Sequence, residues 1–395
     1  MKKILILVFL TLFNSFSFAQ WELVYNAQQV FVLGSTLSSV YAGTSSGLYK
    51  AGSDGASWSL TSLNTTYNPS AFFPAPGYIL VGAGSGHGVL KSTNDGVTWS
   101  TTSLNNKAVI SLWIDQGNSA LCFAGTVNNG VYKSTNSGQN WTQTPLNNVT
   151  VYSLLMVGSS LMAGCGNNEG IYLSNNEGGA WSNLSLNGNV YALRYVTNNY
   201  IAGTGNGIYI SSNGSSWTQK STQYTLALTS VGDSVFAGTQ NSGILLSTNR
   251  GSNWTSYNTG LNPSIGIGAL CRSYYYIIAG GNGSGGNGIF RRNYIFLTEI
   301  NQISAGIPEK FSLSQNYPNP FNPATGFEFR VAESGFVNLT IYNALGSKVE
   351  TLLNGPVKAG VYKAEWNASS YPSGVYFYRL NADGYSETKK MMLVK

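Results

Sequence analysis

Histidine occurs once in the 395 residues, and 15 carboxylates face 21 lysines and arginines. Charged residues make up 9% of the chain, where globular proteins average about a quarter. That scarcity excludes a helical bundle, which needs Ala, Leu, Glu and Lys in quantity. A single histidine leaves no histidine-rich metal site and no imidazole to activate most nucleophiles. Cysteine is equally sparse. Cys122, Cys165 and Cys271 are odd in number, so they cannot all pair within the chain, and buried free thiols are expected instead of a disulfide framework. The formal charge of +6 falls to +4 once Lys2 and Lys3 are set aside. The other basic residues are scattered singly, so a nucleic acid is not an expected partner. What abounds is glycine (47), tyrosine (25) and aromatic residues generally, at 13%. A disordered chain lacks such aromatics. The composition predicts an all-β protein with many tight turns.

The first nineteen residues read as a leader. Lys2 and Lys3 precede the apolar run Ile4–Phe13, and Ser17 and Ala19 provide small side chains before Gln20. Ten apolar residues are too few to cross a bilayer, so cleavage after Ala19 is expected and no integral span follows it.

Internal repetition dominates the rest. An Ala-Gly or similar step recurs with its glycine at Gly43, Gly84, Gly125, Gly164, Gly203, Gly238 and Gly280, at intervals of 41, 41, 39, 39, 35 and 42. A Gly-apolar-aromatic or Gly-apolar-aliphatic step follows each, as in GLYK, GVYK and GIYI. Then come STNDGVTW, STNSGQNW, SNNEGGAW and STNRGSNW, a Ser-x-Asn-x-Gly-x-x-Trp turn with Asn94, Gly96, Trp99; Asn136, Gly138, Trp141; Asn176, Gly178, Trp181; and Asn249, Gly251, Trp254. SSNGSSW is one residue short, and AGSDGASW has Ser53 in place of Asn. A period near forty residues with four short strands is one propeller blade. Seven sets of the first three strands (A, B and C) can be counted, but only six are followed by the turn and a tryptophan. The fold expected is therefore a seven-bladed β-propeller over residues 20–296, its last blade closed by the N-terminal strand at Trp21. Closure of that kind removes two exposed sheet edges.

This turn resembles the Asp-box, or BNR, repeat of sialidase-like propellers, with Asn where that family usually has Asp. The resemblance implies a structural turn between strands C and D, on the face opposite the ligand site. The rim formed by the B–C and D–A loops is built from Asn, Gly, Ser, Thr and a few Tyr. Its placeable ionisable residues are His87, Lys107 and Glu169, while Arg194 sits in an inner strand from which it can reach the channel. Eight carboxylates lie in residues 20–300: Glu22, Asp54, Asp95, Asp115, Glu169, Glu177, Asp233 and Glu299. Only Glu169 falls on that rim, whereas glycoside hydrolysis needs two carboxyl groups about 5–9.5 Å apart. No catalytic residue, metal site or cofactor is expected. The function expected is non-enzymatic binding of a glycan or surface protein by a monomer; the alternative is a glycoside hydrolase or lyase of the Asp-box type.

After a linker expected at 297–310, composition shifts. Alternation in Phe327, Phe329, Val331 and in Val337, Leu339, Ile341, with Gly and Pro turns, predicts a small antiparallel sandwich over 311–395. The segment resembles the type A C-terminal sorting domain of type IX secretion. The matching elements include Tyr317, Pro318, Asn319, Pro320 and Phe321, then Gly346, Gly374, Tyr376 and Lys395. The resemblance implies the secretion machinery as partner, and passage through the periplasm to the outer-membrane surface or the medium.

Overall fold

The computed structural model describes residues 20–395 apart from 185, 187, 274–275, 295–299, 305 and 369–370. The leader and Glu299 lie outside the described residues. Among those described there is no helix, and nine four-stranded antiparallel sheets account for the strands. Seven of them occupy Glu22–Asn293. Each begins with an inner strand: Val30–Ser35, Pro69–Ala75, Val109–Ile114, Val151–Val157, Val190–Val196, Thr225–Val231 and Ile267–Arg272. These inner strands touch in that order, and Ile267–Arg272 returns to touch Val30–Ser35. The arrangement is propeller-like.

The reason for the repeated glycine lies between sheets. A β-carbon at Gly43 would stand 2.2 Å from the carbonyl oxygen of Pro69, the first residue of the next inner strand. The next inner strand is also in the way at Gly125 (Val151, with Ser111 of its own sheet nearer still), at Gly164 (Val190, with Ser153), at Gly238 (Ile267) and at Gly280 (the Val30 side chain). The last of these joins the seventh sheet to the first. The second copy corrects the sequence alignment. Gly82, not Gly84, pairs with Ala71 and meets Val109, because the string VGAG offers two candidates and only packing against the neighbour separates them.

Every inner strand also carries one register shift directly after its first paired residue. A bulge there leaves one extra residue unpaired and turns it away from the ladder. The seven residues so placed are Phe31, Ser70, Ile110, Tyr152, Tyr191, Leu226 and Gly268, and none is buried.

The turns behave as the sequence implies. The Ser92 hydroxyl accepts the Gly96 N–H at 2.9 Å, Asn94 Oδ1 accepts the Thr98 N–H at 2.9 Å, and Trp99 Nε1 donates to the Gly96 carbonyl at 3.1 Å. The same three bonds recur at Asn136, Asn176 and Asn249. Asn thus supplies the acceptor that Asp would. Gly96 sits at φ +79° after Asp95 at +55°, a left-handed pair that admits glycine readily. In the shortened fifth copy the Trp217 indole N–H is buried without a partner.

Three of the described carboxylates of this region pair with a lysine or arginine of an adjacent sheet. Lys50 of the first sheet reaches Asp95 of the second at 2.7 Å, and Lys133 of the third reaches Glu177 of the fourth at 2.9 Å. Arg291 of the seventh reaches Asp54 of the first and, within its own sheet, Glu22. The seventh sheet takes Glu22–Tyr25 as its fourth strand, paired with Ile289–Asn293. Just ahead of it, Trp21 is only 2% exposed, and its indole N–H donates to the Tyr257 carbonyl at 2.7 Å.

Two further sheets pack around a separate core that includes Phe327, Phe329, Leu339, Ile341, Trp366 and Tyr378. Ile300–Ser304, inside the stretch expected to be linker, pairs with Gly360–Asn367 of the first of them. Strand pairing therefore starts ahead of Phe311, which a stretch lacking the turn and glycine signals of the repeat did not announce.

Candidate functional site

One end of the ring is stitched by seven equivalent backbone hydrogen bonds. In each sheet the residue after the second strand donates to the residue before the inner strand: Ser45 to Gln29, Gly84 to Asn68, Val127 to Ala108, Gly166 to Thr150, Gly205 to Asn189, Gln240 to Tyr224 and Asn282 to Gly266. These bonds hold the B–C and D–A loops side by side and put the bulged residues next to them.

The four charged or titratable residues singled out in the sequence are spread around this ring. No hydrogen bond or ion pair among the described residues joins any two of them. His87 is exposed in the second sheet, its Nδ1 2.9 Å from Ser85 Oγ and its ring edge-on to Tyr67 at 5.3 Å. Lys107 Nζ donates to Asn129 Oδ1 at 3.0 Å. Glu169 Oε2 accepts the Tyr172 hydroxyl at 2.8 Å. Arg194 lies within the inner strand, opposite Ile201, and its Nε donates to Ser230 Oγ at 3.0 Å in the next sheet. Burial, and then the charge of Arg272, lower its pKa.

What the sequence reading did not single out is an arc of three tyrosines on consecutive sheets. The Tyr152 and Tyr191 rings lie 4.9 Å apart and the Tyr191 and Tyr224 rings 5.4 Å apart. The Tyr224 hydroxyl donates to that of Tyr191 at 2.6 Å, and Asn189 Nδ2 donates to the same oxygen at 3.0 Å. Tyr152 and Tyr224 remain 36% and 38% exposed. Burial and neighbouring tyrosines raise the pKa of both phenols, so they stay protonated at neutral pH. A signal was present in the strings VTVY and GNVY, where the tyrosine follows a valine two places after a rim Thr or Asn; recognising it required knowing where the bulge falls.

The cysteines are buried and free, and burial raises their pKa values, which makes them poor nucleophiles. Among the described residues no three His, Cys, Asp or Glu side chains cluster as a metal site. No helix among them is long and apolar enough to cross a membrane.

In the C-terminal sheets, the Tyr317–Phe321 segment folds against the end of the chain. Phe321 N–H donates to the Met392 carbonyl and Val394 N–H to the Phe321 carbonyl, both at 3.0 Å. Asn319 Oδ1 accepts the Met392 N–H at 3.0 Å, and the Lys395 N–H reaches Ser373. Phe321 packs on Trp366, which also meets Tyr376 edge-on, while Tyr317 stands 85% exposed. The family of the secretion system C-terminal sorting domain matches residues 315–395. The chain ends in a sorting domain. It indicates export by type IX secretion to the cell surface or extracellular space.

No curated protein matches the chain. Solved structures share its fold at low identity. A surface component of the type IX secretion system of Porphyromonas gingivalis, PorZ, is 13% identical with a TM-score of 0.52, covering 93% of this chain and 60% of its own. YCF48 bound to a D1 peptide is 15% identical with a TM-score of 0.55, covering 70% and 97%. A GH74 xyloglucanase from Xanthomonas campestris is 13% identical with a TM-score of 0.54, covering 79% and 59%. The chain thus spans about three-fifths of PorZ and of the xyloglucanase, and the likeness in all three is one of fold.

Proposed function

We propose that the chain is an exported, seven-bladed, monomeric propeller that binds a glycan or surface protein through the rim of its B–C and D–A loops and catalyses no reaction. In this reading 1–19 is removed, the blades fill 20–296 with an Asp-box turn in six of them, and the sandwich from about 311 is the sorting signal. The observation that carries it is the chemistry of the rim. Amides, hydroxyls and aromatic rings surround the bulged residues, while the described carboxylates of the seven sheets are held in ion pairs, turns or, for Glu169, a phenol bond. Such neutral, directional groups suit recognition better than proton transfer, which needs a titrating group placed against its substrate. His87, Lys107 and Glu169 are rim contacts in this reading, and Arg194 serves the channel below them.

The test is paired. Mature protein is screened on polysaccharides for turnover and on glycan and surface-protein arrays for binding. Binding without turnover is the expected result. Turnover that falls about a hundredfold in Glu169→Gln or His87→Ala, the scale of one general acid or base, would establish the hydrolase reading instead.

A further inference from the structure

We propose that Tyr152, Tyr191 and Tyr224 form a stacking platform for a neutral oligosaccharide. The proposal rests on the rim-binding reading and names its ligand class and its contacts. Sheets four, five and six each contribute one ring to the row, at spacings of 4.9 and 5.4 Å. Two of the rings come from bulge positions, which the ladder leaves free to face outward. The third, Tyr224, precedes its inner strand, at the place Asn189 holds in the fifth sheet.

The floor under the row is glycine. A β-carbon on Gly166 would stand 2.8 Å from Tyr152 Cε2, and one on Gly205 would touch both Tyr191 and Tyr224 at 3.7–3.9 Å. These glycines let the ring edges approach the loop backbone. Rings held that way keep little freedom to lose when a ligand arrives, which favours affinity.

Polar groups on the row complete the match to a sugar. Tyr191 Oη already accepts two hydrogen bonds, from Tyr224 and Asn189, so its own proton is left to donate outward. Asn189 is fixed in turn, because its Oδ1 accepts the Asn168 N–H at 3.0 Å. A pyranose offers an apolar C–H face and equatorial hydroxyls; the row, its rings inclined to one another by 39° and 29°, offers the exposed parts of Tyr152 and Tyr224 with a phenol donor between them. Charge argues for a neutral ligand. The described lysines and arginines that lie over aromatic rings do so elsewhere in the molecule, and the rim carboxylate Glu169 is bonded to Tyr172. Three rings in a row suit a chain of sugars better than a monosaccharide.

Mature protein on an array of neutral and acidic oligosaccharides, followed by calorimetric titration of the hits, tests this. Tyr152→Ala and Tyr224→Ala are compared with Tyr152→Phe, which keeps the ring, and with Tyr195→Ala. Tyr195 forms a similar pair with Tyr200 at 4.8 Å; it lies four residues beyond Tyr191, at the other end of the same inner strand, and serves as the control away from the rim. Neutral hits are expected, weakened about tenfold or more by either platform alanine, with Tyr152→Phe and Tyr195→Ala close to wild type. Neutral hits that both platform alanines leave intact would overturn the platform while leaving rim binding standing, provided His87→Ala or Lys107→Ala weakens them. Binding restricted to acidic sugars, or to a protein, would overturn the ligand class. A ligand insensitive to every rim variant would overturn both readings.

Discussion

Removing the Trp21 side chain should loosen the whole ring, because the strand that follows it, Glu22–Tyr25, completes the last sheet. Trp21 is buried among Phe236, Leu246, Leu261, Ile265 and Ile277. Its backbone N–H donates to Thr259 and its indole N–H to Tyr257. Tyr257 lies edge-on to that indole and has the Arg292 guanidinium over its ring at 3.5 Å. Truncating a buried Trp to Ala costs about 3–5 kcal/mol. At about 2 °C per kcal/mol for a domain of this size, Trp21→Ala should lower the melting temperature by about 6–10 °C. Leu23→Ala is the control, since Leu23 in the strand that follows is 56% exposed and should move the melt far less. Deleting residues 20–26 should do more than Trp21→Ala, by uncovering the Ile289–Asn293 edge, and should add aggregation. Calorimetry of purified mature protein reads all three. An unshifted melt in Trp21→Ala, or a deletion variant as stable and monodisperse as wild type, would refute closure by the N-terminal strand.

Gly43→Ala should destabilise by about 1–3 kcal/mol, the range for overpacking, since its new carbon meets the Pro69 carbonyl; chemical denaturation measures it. Trp99→Phe should cost about 1 kcal/mol more than Trp217→Phe, the worth of one hydrogen bond, because only Trp217 has no bond to lose; equal losses would contradict this. Burial raises the Asp95 pKa, but hydrogen bonds from Lys50 and Tyr41 outweigh it and leave the value below normal. Its contribution is therefore present above the ordinary carboxylate range and lost as pH falls through the lowered value. Asp95→Asn should flatten acid-side stability by no more than about 1 kcal/mol, since the pair is partly exposed; melts between neutral and acid pH check it. Removing Phe311–Lys395 should leave the propeller in the periplasm, and fractionation of the native host with immunodetection would show undiminished surface protein if this were wrong.

Much of the fold was legible because one packing requirement repeats. A β-carbon is excluded wherever the next inner strand crosses, so the glycine period is the period of the sheets, and the Ser-Asn-Gly-Trp turn marks each return. Closure could be inferred from arithmetic, six tryptophan turns for seven sets of inner strands. Legibility failed where two residues satisfy the same pattern, as with Gly82 and Gly84, or where pairing is long-range, as with Ile300–Ser304. The tyrosine arc was hidden for a different reason. Its members are 39 and 33 residues apart in the chain; the register shift places Tyr152 and Tyr191 in the row, and Tyr224 joins it from the position just ahead of its inner strand.

That difference indicates where recognition can reside in a fold of this kind. At the glycine step and the tryptophan turn every sheet must solve the same steric problem, so those positions repeat and have little freedom to carry a ligand's chemistry. At the bulge that requirement is relaxed: the extra residue has no ladder partner, and what its side chain meets varies, from the Val109 carbonyl for Ser70 to the Tyr191 ring for Tyr152. The seven occupants accordingly differ in kind, from Gly268 and Ser70 through Ile110 and Leu226 to Phe31, Tyr152 and Tyr191. Two of the three aromatic ones, Tyr152 and Tyr191, fall on adjacent sheets while Phe31 stands alone on the first, and Tyr224 extends the pair by one more sheet. A structural need would recur at the repeat; an asymmetric aromatic arc at its least constrained positions has no such need behind it. Positional freedom, clustering and glycines against the ring edges together favour a binding platform.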